Sequence, residues 1–431
     1  MTTDGSSAVF AGNQWKLSLA QLFSGVGIAV GFAVGGLLAE DLTGQAEYAG
    51  FAQTASIIGA GVLAIPLARL AARHSRRHSL TLGFAIALAG AVTILAGARL
   101  GSPVIFFVGM FLFGSATATG LQTRYAATDD APPHLRGRAL SIVVWATTIG
   151  SVAGPNLAGP GGVVGERLGV GELGGPFALS AIAFAVAIGF TMLLRRSAAR
   201  RLSVAAGVAS GGGEAPPVAP PAKHASLAEA MRIVLARPRA LLGFAAVVLG
   251  HTVMVSVMVM TPVHMSHHGD SIEVIGIVIS MHILGMYALS PVYGYLSDRF
   301  GPVPVIWAGF AILTAAAALG ILDDAAGSSM PRISTALTLL GLGWSACFIA
   351  GSTLLTASVP ESHRVVIQGA ADAGMNLGAA AFAAAAGPLL AVGGFTLINI
   401  AALGIVAVGV AVAVRSLRAH RRAEAAAQAG G

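Results

Sequence analysis

The sequence predicts an all-α membrane protein with twelve transmembrane helices in two pseudo-symmetric six-helix bundles. Three observations predict this fold class. The 431 residues are 55% hydrophobic and 10% charged, with a mean hydropathy of +0.80, whereas soluble domains carry about 25% charged residues. Apolar stretches of about 20 residues, enough to cross a bilayer core, recur along the chain. One region rich in Gly, Pro and Ala separates two groups of six such stretches.

The predicted spans share an apolar core of bilayer length. They lie near residues 15–38, 46–68, 79–98, 102–124, 139–162, 173–194, 240–262, 272–294, 304–322, 332–357, 367–391 and 393–414. The Gly and Pro runs at 211–213 and 216–221 cannot pack a core, so they predict a flexible linker with a short amphipathic helix at 224–236. The predicted domains are an N-terminal bundle (1–196), a cytoplasmic linker (197–238) and a C-terminal bundle (239–431).

The distribution of Lys and Arg residues predicts the orientation of the chain in the membrane. If the N-terminus is cytoplasmic, 22 of the 25 Lys and Arg residues fall in inside segments. The positive-inside rule therefore predicts a multi-pass protein of the cell (inner) membrane with both termini in the cytoplasm. The net charge of +7 does not indicate nucleic-acid binding, because no basic soluble domain carries it. The single cysteine, Cys347, excludes an intrachain disulfide and a cysteine metal cluster.

Two loops repeat between the halves. The loop Gly294–Gly301, with Asp298 and Arg299, follows the eighth span, and the segment 68–77 follows the second span at an offset of 226 residues. Arg138 and Arg364, which open the fifth and eleventh spans, differ by the same 226. Such a duplication is typical of transporters whose halves rock about a central site.

The seventh and eighth spans carry soft metal ligands. His251, Met254, Met258 and Met265 have the spacing i, i+3, i+7 and i+14, which is one face of a helix. His282 and Met286 follow on the eighth span at the spacing i, i+4. Residues 251–286 hold six of the twelve Met and five of the eleven His residues. Thioether and imidazole groups suit Cu(I), so two facing helices predict a copper site.

The alternative for the methionines is packing, since Met is a flexible filler of apolar cores. The internal repeat provides a control. Subtracting 226 from positions 251, 254, 258, 282 and 286 gives a set without His or Met: Gly25, Ile28, Phe32, Ser56 and Ala60. Histidine within a hydrocarbon span is also costly and points to function.

The loop Gly294–Gly301 matches the G-x-x-x-D-R-x-G motif of the major facilitator superfamily, which the chain resembles over nearly its whole length. The first-half copy keeps Arg73, Arg76 and Arg77 but has Ala68, Ala72 and Ser75 where Gly, Asp and Gly are usual. The M-x-x-x-M and H-x-x-x-M motifs further resemble the CcoA-like copper importers. That resemblance implies a twelve-helix transporter with Met254, Met258, His282 and Met286 as copper ligands. Copper is then the transported ion rather than a resident cofactor, and a cytoplasmic copper carrier is an implied partner.

The sequence predicts three further candidate sites. His264, Met265, His267 and His268 could capture copper before it reaches His251, or they could form a polar interfacial loop. Asp372, inside the eleventh span, could bind a coupling proton or lie in the headgroup region. The loop arginines and Asp298 could form a latch, that is, pair with neighbouring helix ends and hold them together. Alternatively, Arg76 and Arg77 could act only as positive charges that set the membrane orientation.

The sequence leaves two alternatives to copper import. One is uptake or efflux of an organic solute, with the Met face as an apolar wall. The other is a copper-binding assembly or sensing protein that does not transport. No nucleotide-binding loop, catalytic triad or haem motif occurs in the sequence, which indicates that the protein is not an enzyme.

Overall fold

The computed structural model describes residues 3–129, 131, 136–194, 227–360 and 363–429, and its regular elements are helical. Eleven helical segments in this part of the chain are long and apolar enough to cross a membrane. The last of them, Val366–His420, has 55 residues and changes direction at Gly393 and Gly394, whose backbone angles are not helical. With this segment counted as two, the predicted twelve-span, all-α fold is confirmed.

The described residues before the linker region form eight α-helices. They are α1 (Thr3–Thr43), α2 (Ala49–Arg73), α3 (Arg76–Leu100), α4 (Pro103–Phe113), α5 (Ser115–Asp129), α6 (Arg136–Ala153), α7 (Ala158–Leu168) and α8 (Gly171–Met192). After the linker region, the part of the chain that the structure describes forms eight more. They are α9 (Leu227–Ala236), α10 (Pro238–Met258), α11 (Thr261–His267), α12 (Ile272–Ala288), α13 (Ser290–Phe300), α14 (Pro302–Ala325), α15 (Met330–Ser358) and α16 (Arg364–Ala429). Short 3-10 turns lie at Ala46–Tyr48 and Pro155–Leu157.

Several spans are interrupted where Pro or Gly occurs. The seventh span consists of α10 and α11, because Pro262 has no N–H to donate to the carbonyl four residues earlier. The prediction that a single helical face runs from His251 to Met265 is therefore wrong beyond Met258. Pro291, at the start of α13, accompanies a similar break in the eighth span.

The chain divides into two compact units. The first contains Met1–Phe32 and Ala55–His224, and the second contains Ala33–Thr54 and Ala225–Gly431. The end of the first span and the start of the second thus belong to the same unit as the C-terminal helices. Residues 197–226, most of the predicted linker, lie outside the described residues, while its last part forms α9.

The first unit packs around aromatic side chains. Phe113 makes edge-to-face contacts with Phe177 and Phe184, at ring-centroid distances of 5.8 and 5.2 Å. A Cβ at Gly31 of α1 would lie 2.6 Å from the Phe113 ring, so the missing side chain admits that ring. On α2, by contrast, Ile58, Val62 and Ile65 are exposed at helical spacing, as expected of a lipid-facing stripe.

The second unit is organised around α15. A Cβ at Gly309 of α14 would lie 2.6 Å from the Cys347 Sγ, and a Cβ at Gly250 of α10 would lie 2.9 Å from the Cys347 Cβ. These small residues allow both helices to approach α15 closely. Val234 of α9 is fully buried in the same unit, against a cluster that includes Leu355 and Ile367. The segment predicted as an amphipathic helix therefore packs its apolar face on protein.

Candidate functional site

Helix α10 runs antiparallel to α15, and three contacts fix their register. Arg237 Nη1, just before α10, donates to the backbone O of Ser358 at 3.0 Å. A Cβ at Gly243 would lie 2.7 Å from Gly351 O, and His251 meets Trp344 one helical turn before Met254. Continued along two regular helices, this register brings Met254 and Met258 to the levels of Gly341 and Leu337.

Helix α12 meets the same turn of α15 from another side. A Cβ at Gly341 would lie 2.4 Å from His282 O and 2.9 Å from Met286 N. His282 Nδ1 bonds to Leu337 O at 2.7 Å, again within this turn. The contacts place His282 and Met286 beside the turn 337–341 of α15, and the extended register of α10 brings Met254 and Met258 to the same level.

The seventh and eighth spans do not face each other directly, in contrast to the prediction. Helices α10 and α12 both pack along α15, and direct contact between them is marginal among the described residues. Met254 is buried, while Met258 and Met286 are partly buried. Helices α10 and α12 pack on α15 rather than on each other because glycines allow each of them to approach α15 closely. The two short motifs on the seventh and eighth spans carry no information about this packing.

His282 has one ring nitrogen paired and one unpaired. Its Nδ1–H donates to Leu337 O, so in the neutral ring Nε2 carries a lone pair. The side chain is 1% exposed, and Nε2 has no hydrogen-bond partner among the described residues. Histidines that bind metals usually donate their other ring N–H to a carbonyl or carboxylate. This ring is therefore oriented as a metal ligand would be.

His251 has the opposite hydrogen-bonding arrangement. Its Nδ1 accepts a hydrogen bond from Trp344 Nε1 at 3.0 Å, so the neutral ring carries its proton on Nε2. Trp344 stacks on Phe348 at 5.1 Å and meets the Tyr287 ring edge-to-face at 6.0 Å. His251 thus presents an N–H beside an aromatic cluster, which suits an acceptor on an organic molecule better than a cation.

The predicted capture residues differ in their burial and in their hydrogen-bond partners. Met265 and His264 are buried, at 0% and 3% exposure, whereas His267 and His268 are exposed. His267 Nε2 bonds to Glu40 Oε1 at 2.6 Å, in the part of α1 that belongs to the second unit. His264 instead lies among carboxylates at the end of α14. His264 and His268 therefore lie together, with ring centroids 4.4 Å apart, whereas His267 bonds to Glu40.

The predicted loop motif forms a tight turn between α13 and α14. Gly301 has a φ of +83°, which favours glycine. Arg299 Nη1 donates to Tyr295 Oη at 2.7 Å and lies over the Phe300 ring, and Asp298 is exposed. A side chain at Gly294 would meet nothing within 4 Å.

The corresponding turn of the first unit joins α2 to α3. Arg73 and Arg77 are exposed, and Arg76 is partly buried. Asp372 lies on an exposed face of α16, where its backbone O accepts from Asn376 Nδ2 at 2.8 Å. These positions leave the latch and proton-site assignments as predictions.

Sequence reasoning missed the partners of the histidines. Trp344 and Leu337 lie on α15, 93 and 55 residues from the histidines that they bond, and no motif marks them. The sequence could have indicated a site at Asp323 and Asp324, because two adjacent acidic residues near the end of an apolar helix are unusual.

Comparison with known proteins identifies related sequences. The sequence model described as Major Facilitator Superfamily matches residues 17–272 and 258–430. The chain is 36% identical over 377 residues to the "Uncharacterized MFS-type transporter YdeG" of Bacillus subtilis, covering 87% of this chain and 85% of the relative. It is 26% identical over 393 residues to the riboflavin transporter RfnT of Brucella anthropi, covering 91% and 92%.

A solved structure of a D-xylose–proton symporter superposes with a TM-score of 0.68 at 14% identity, over 92% of this chain and 96% of that chain. At this identity the likeness concerns the fold alone.

Proposed function

This chain belongs to the Major Facilitator Superfamily, and on that premise we propose that it imports copper as Cu(I) through Met254, Met258, His282 and Met286. One observation carries this proposal: the buried lone pair of His282 Nε2. An unpaired polar atom costs about 1–3 kcal/mol when buried. Copper would relieve that cost while Leu337 O holds the ring in place.

The neighbouring ligands fit Cu(I). The register along α15 brings Met258 to the level of His282, and Met254 to the level of Met286. Thioethers and one imidazole select a soft monovalent ion over Mg²⁺ or Ca²⁺. Cys347 is buried between Gly250 and Gly309, so its thiol faces α10 and α14. A site without thiolate can release its ion, as transport requires.

The charge distribution supports a protein of the inner membrane with both termini in the cytoplasm, and the proposed direction of transport is import. In this orientation the ion passes to a copper carrier in the cytoplasm. Asp372 is the proposed coupling-proton site. The turns around Arg299 and Arg73 are the proposed latches between helix ends.

The test is uptake of copper-64 by cells that express the protein. Met254→Leu/Met258→Leu keeps volume and apolarity but removes two sulfur atoms, so uptake is expected to fall to background at unchanged protein level. Met110→Leu/Met281→Leu removes two sulfur atoms elsewhere and is expected to keep uptake. Equal copper uptake by Met254→Leu/Met258→Leu and by Met110→Leu/Met281→Leu would contradict the copper proposal. Binding by purified protein without flux into vesicles would instead favour a non-transporting copper protein.

A second candidate cargo is a planar organic solute such as riboflavin. The observation that favours it is the aromatic cluster of Trp344, Phe348 and Tyr287 beside the His251 N–H. A relative of known cargo, RfnT, is a riboflavin transporter. Stacking on Trp344 and a hydrogen bond from His251 would bind a flat ring with carbonyl groups.

Labelled riboflavin uptake separates the two candidates. Trp344→Leu removes the stacking surface and the bond to His251, so riboflavin uptake is expected to be lost. Trp307→Leu, on α14, is the matched control and is expected to retain it. If the expressed protein adds no riboflavin uptake above background, this second candidate is rejected whatever the copper result.

A further inference from the structure

A cluster of His264, His268, Asp323 and Asp324 lies at the end of the second unit where α11 and α14 end. His264 Nε2 is 3.4 Å from Asp323 Oδ2, and its Nδ1 is 3.8 Å from Asp324 Oδ1. The His264 ring stacks on Phe395 at a centroid distance of 4.3 Å and an interplanar angle of 14°. The ring is therefore held in one orientation between two carboxylates.

Asp323 is buried, and donors surround its carboxyl group. It is 0% exposed and accepts hydrogen bonds from Ser328 Oγ (2.8 Å), Ser329 N (2.9 Å) and Arg332 Nε (3.2 Å). A carboxylate with these donors and a guanidinium partner accepts the Nε2–H of His264. The lone pair of neutral His264 is then on Nδ1.

That lone pair faces a second carboxylate. Asp324 Oδ2 accepts from Thr396 N at 2.8 Å and from Thr396 Oγ1 at 2.6 Å, so this group is also held in place. Its Oδ1 lies opposite His264 Nδ1. Two electron-rich atoms that face each other repel, and a cation between them removes the repulsion.

His268 adds a third ligand atom. Its Nδ1–H donates to the backbone O of His264 at 2.8 Å, which leaves the lone pair on Nε2. One ligand atom from each of His264, His268 and Asp324 lies within 4.8 Å of the others. Metal bonds from N or O to Zn²⁺ are about 2.0–2.2 Å long, so a small movement of the exposed His268 side chain closes the site.

We propose that His264, His268 and Asp324 bind a borderline divalent transition-metal ion of the Zn²⁺ class. Asp323 is a positioning residue that fixes the tautomer of His264. Two imidazoles and one carboxylate with a free fourth position suit Zn²⁺ and are too hard for selective Cu(I) binding. The bound ion would tie α11 and the following turn to the end of α14. This site is separate from the cargo site and does not depend on which cargo is transported.

The experiment titrates Zn²⁺ into purified full-length protein, treated with chelator, in detergent micelles. Calorimetry and elemental analysis are expected to give one ion per chain. His268→Gln and Asp324→Asn are each expected to weaken binding by at least about tenfold, the size seen for altered metal surroundings. Zn²⁺ is also expected to raise the Tm of the wild type but not that of His268→Gln.

His267→Gln is the matched control, because His267 is adjacent and exposed but is bonded to Glu40. It is expected to keep the wild-type affinity, as is Met254→Leu/Met258→Leu. Absence of saturable Zn²⁺ binding by the wild type would overturn the proposal and leave a proton on His264 as the bridging cation. An equal loss in His267→Gln and His268→Gln would overturn it as well, since binding would then be a general property of the exposed loop.

Discussion

At the scale of the residue, the two ring nitrogens of His282 have separable roles. His282→Asn places an amide N–H where Nδ1 lies, so it can still donate to Leu337 O, but it has no counterpart of Nε2. We expect copper affinity to fall by at least about tenfold while the Tm changes little. Copper binding and thermal unfolding of the purified protein measure the two effects.

His78→Asn, an exposed histidine at the start of α3, serves as the control and is expected to bind copper like the wild type. If His282→Asn binds copper normally, Nε2 is not a ligand. If it unfolds at much lower temperature, the ring is needed for packing.

At the scale of the element, α12 is positioned by its close approach to α15. Gly341→Ala would place a Cβ 2.4 Å from His282 O, so α12 must move away. Overpacking of this kind costs about 1–3 kcal/mol, and the bond from His282 to Leu337 is expected to break. We therefore expect a lower Tm together with reduced uptake. Gly404→Ala on α16, where nothing lies within 4 Å, should leave both unchanged.

At the scale of the whole molecule, charge predicts which ends face the cytoplasm. Cys347 is buried, so the wild type should react little with a membrane-impermeant maleimide. Gln45→Cys lies in a segment predicted to be outside, and we expect it to be labelled on intact cells. Arg77→Cys, at the opposite ends of the spans, should be labelled only after lysis.

Labelling of Arg77→Cys but not of Gln45→Cys on intact cells would show that the orientation is opposite to the predicted one, and the proposed import of copper would then have to be reconsidered as export. Labelling of both would indicate permeable cells, which a cytoplasmic marker protein detects independently.

The fold was largely predictable because span length and composition are local properties of the sequence. The break before Pro262 was not, since membrane helices often accommodate proline and neighbouring groups decide the outcome. The candidate site was predictable only in part. Helical spacing places Met254 beside Met258, but the bond between His251 and Trp344 joins residues 93 positions apart. Asp323 and His264 are likewise 59 positions apart, and only packing brings them together.

The assignment of Ala33–Thr54 to the second unit has a consequence for dividing the chain. Thr54 Oγ1 donates to Ala380 O at 3.1 Å, and a Cβ at Gly50 would lie 1.8 Å from Ala383 O. A gene cut between the bundles would leave this piece of the second unit covalently attached to the N-terminal fragment. This segment would then favour reassociation of the two fragments. A C-terminal fragment made alone would lack the helix surface that this segment supplies.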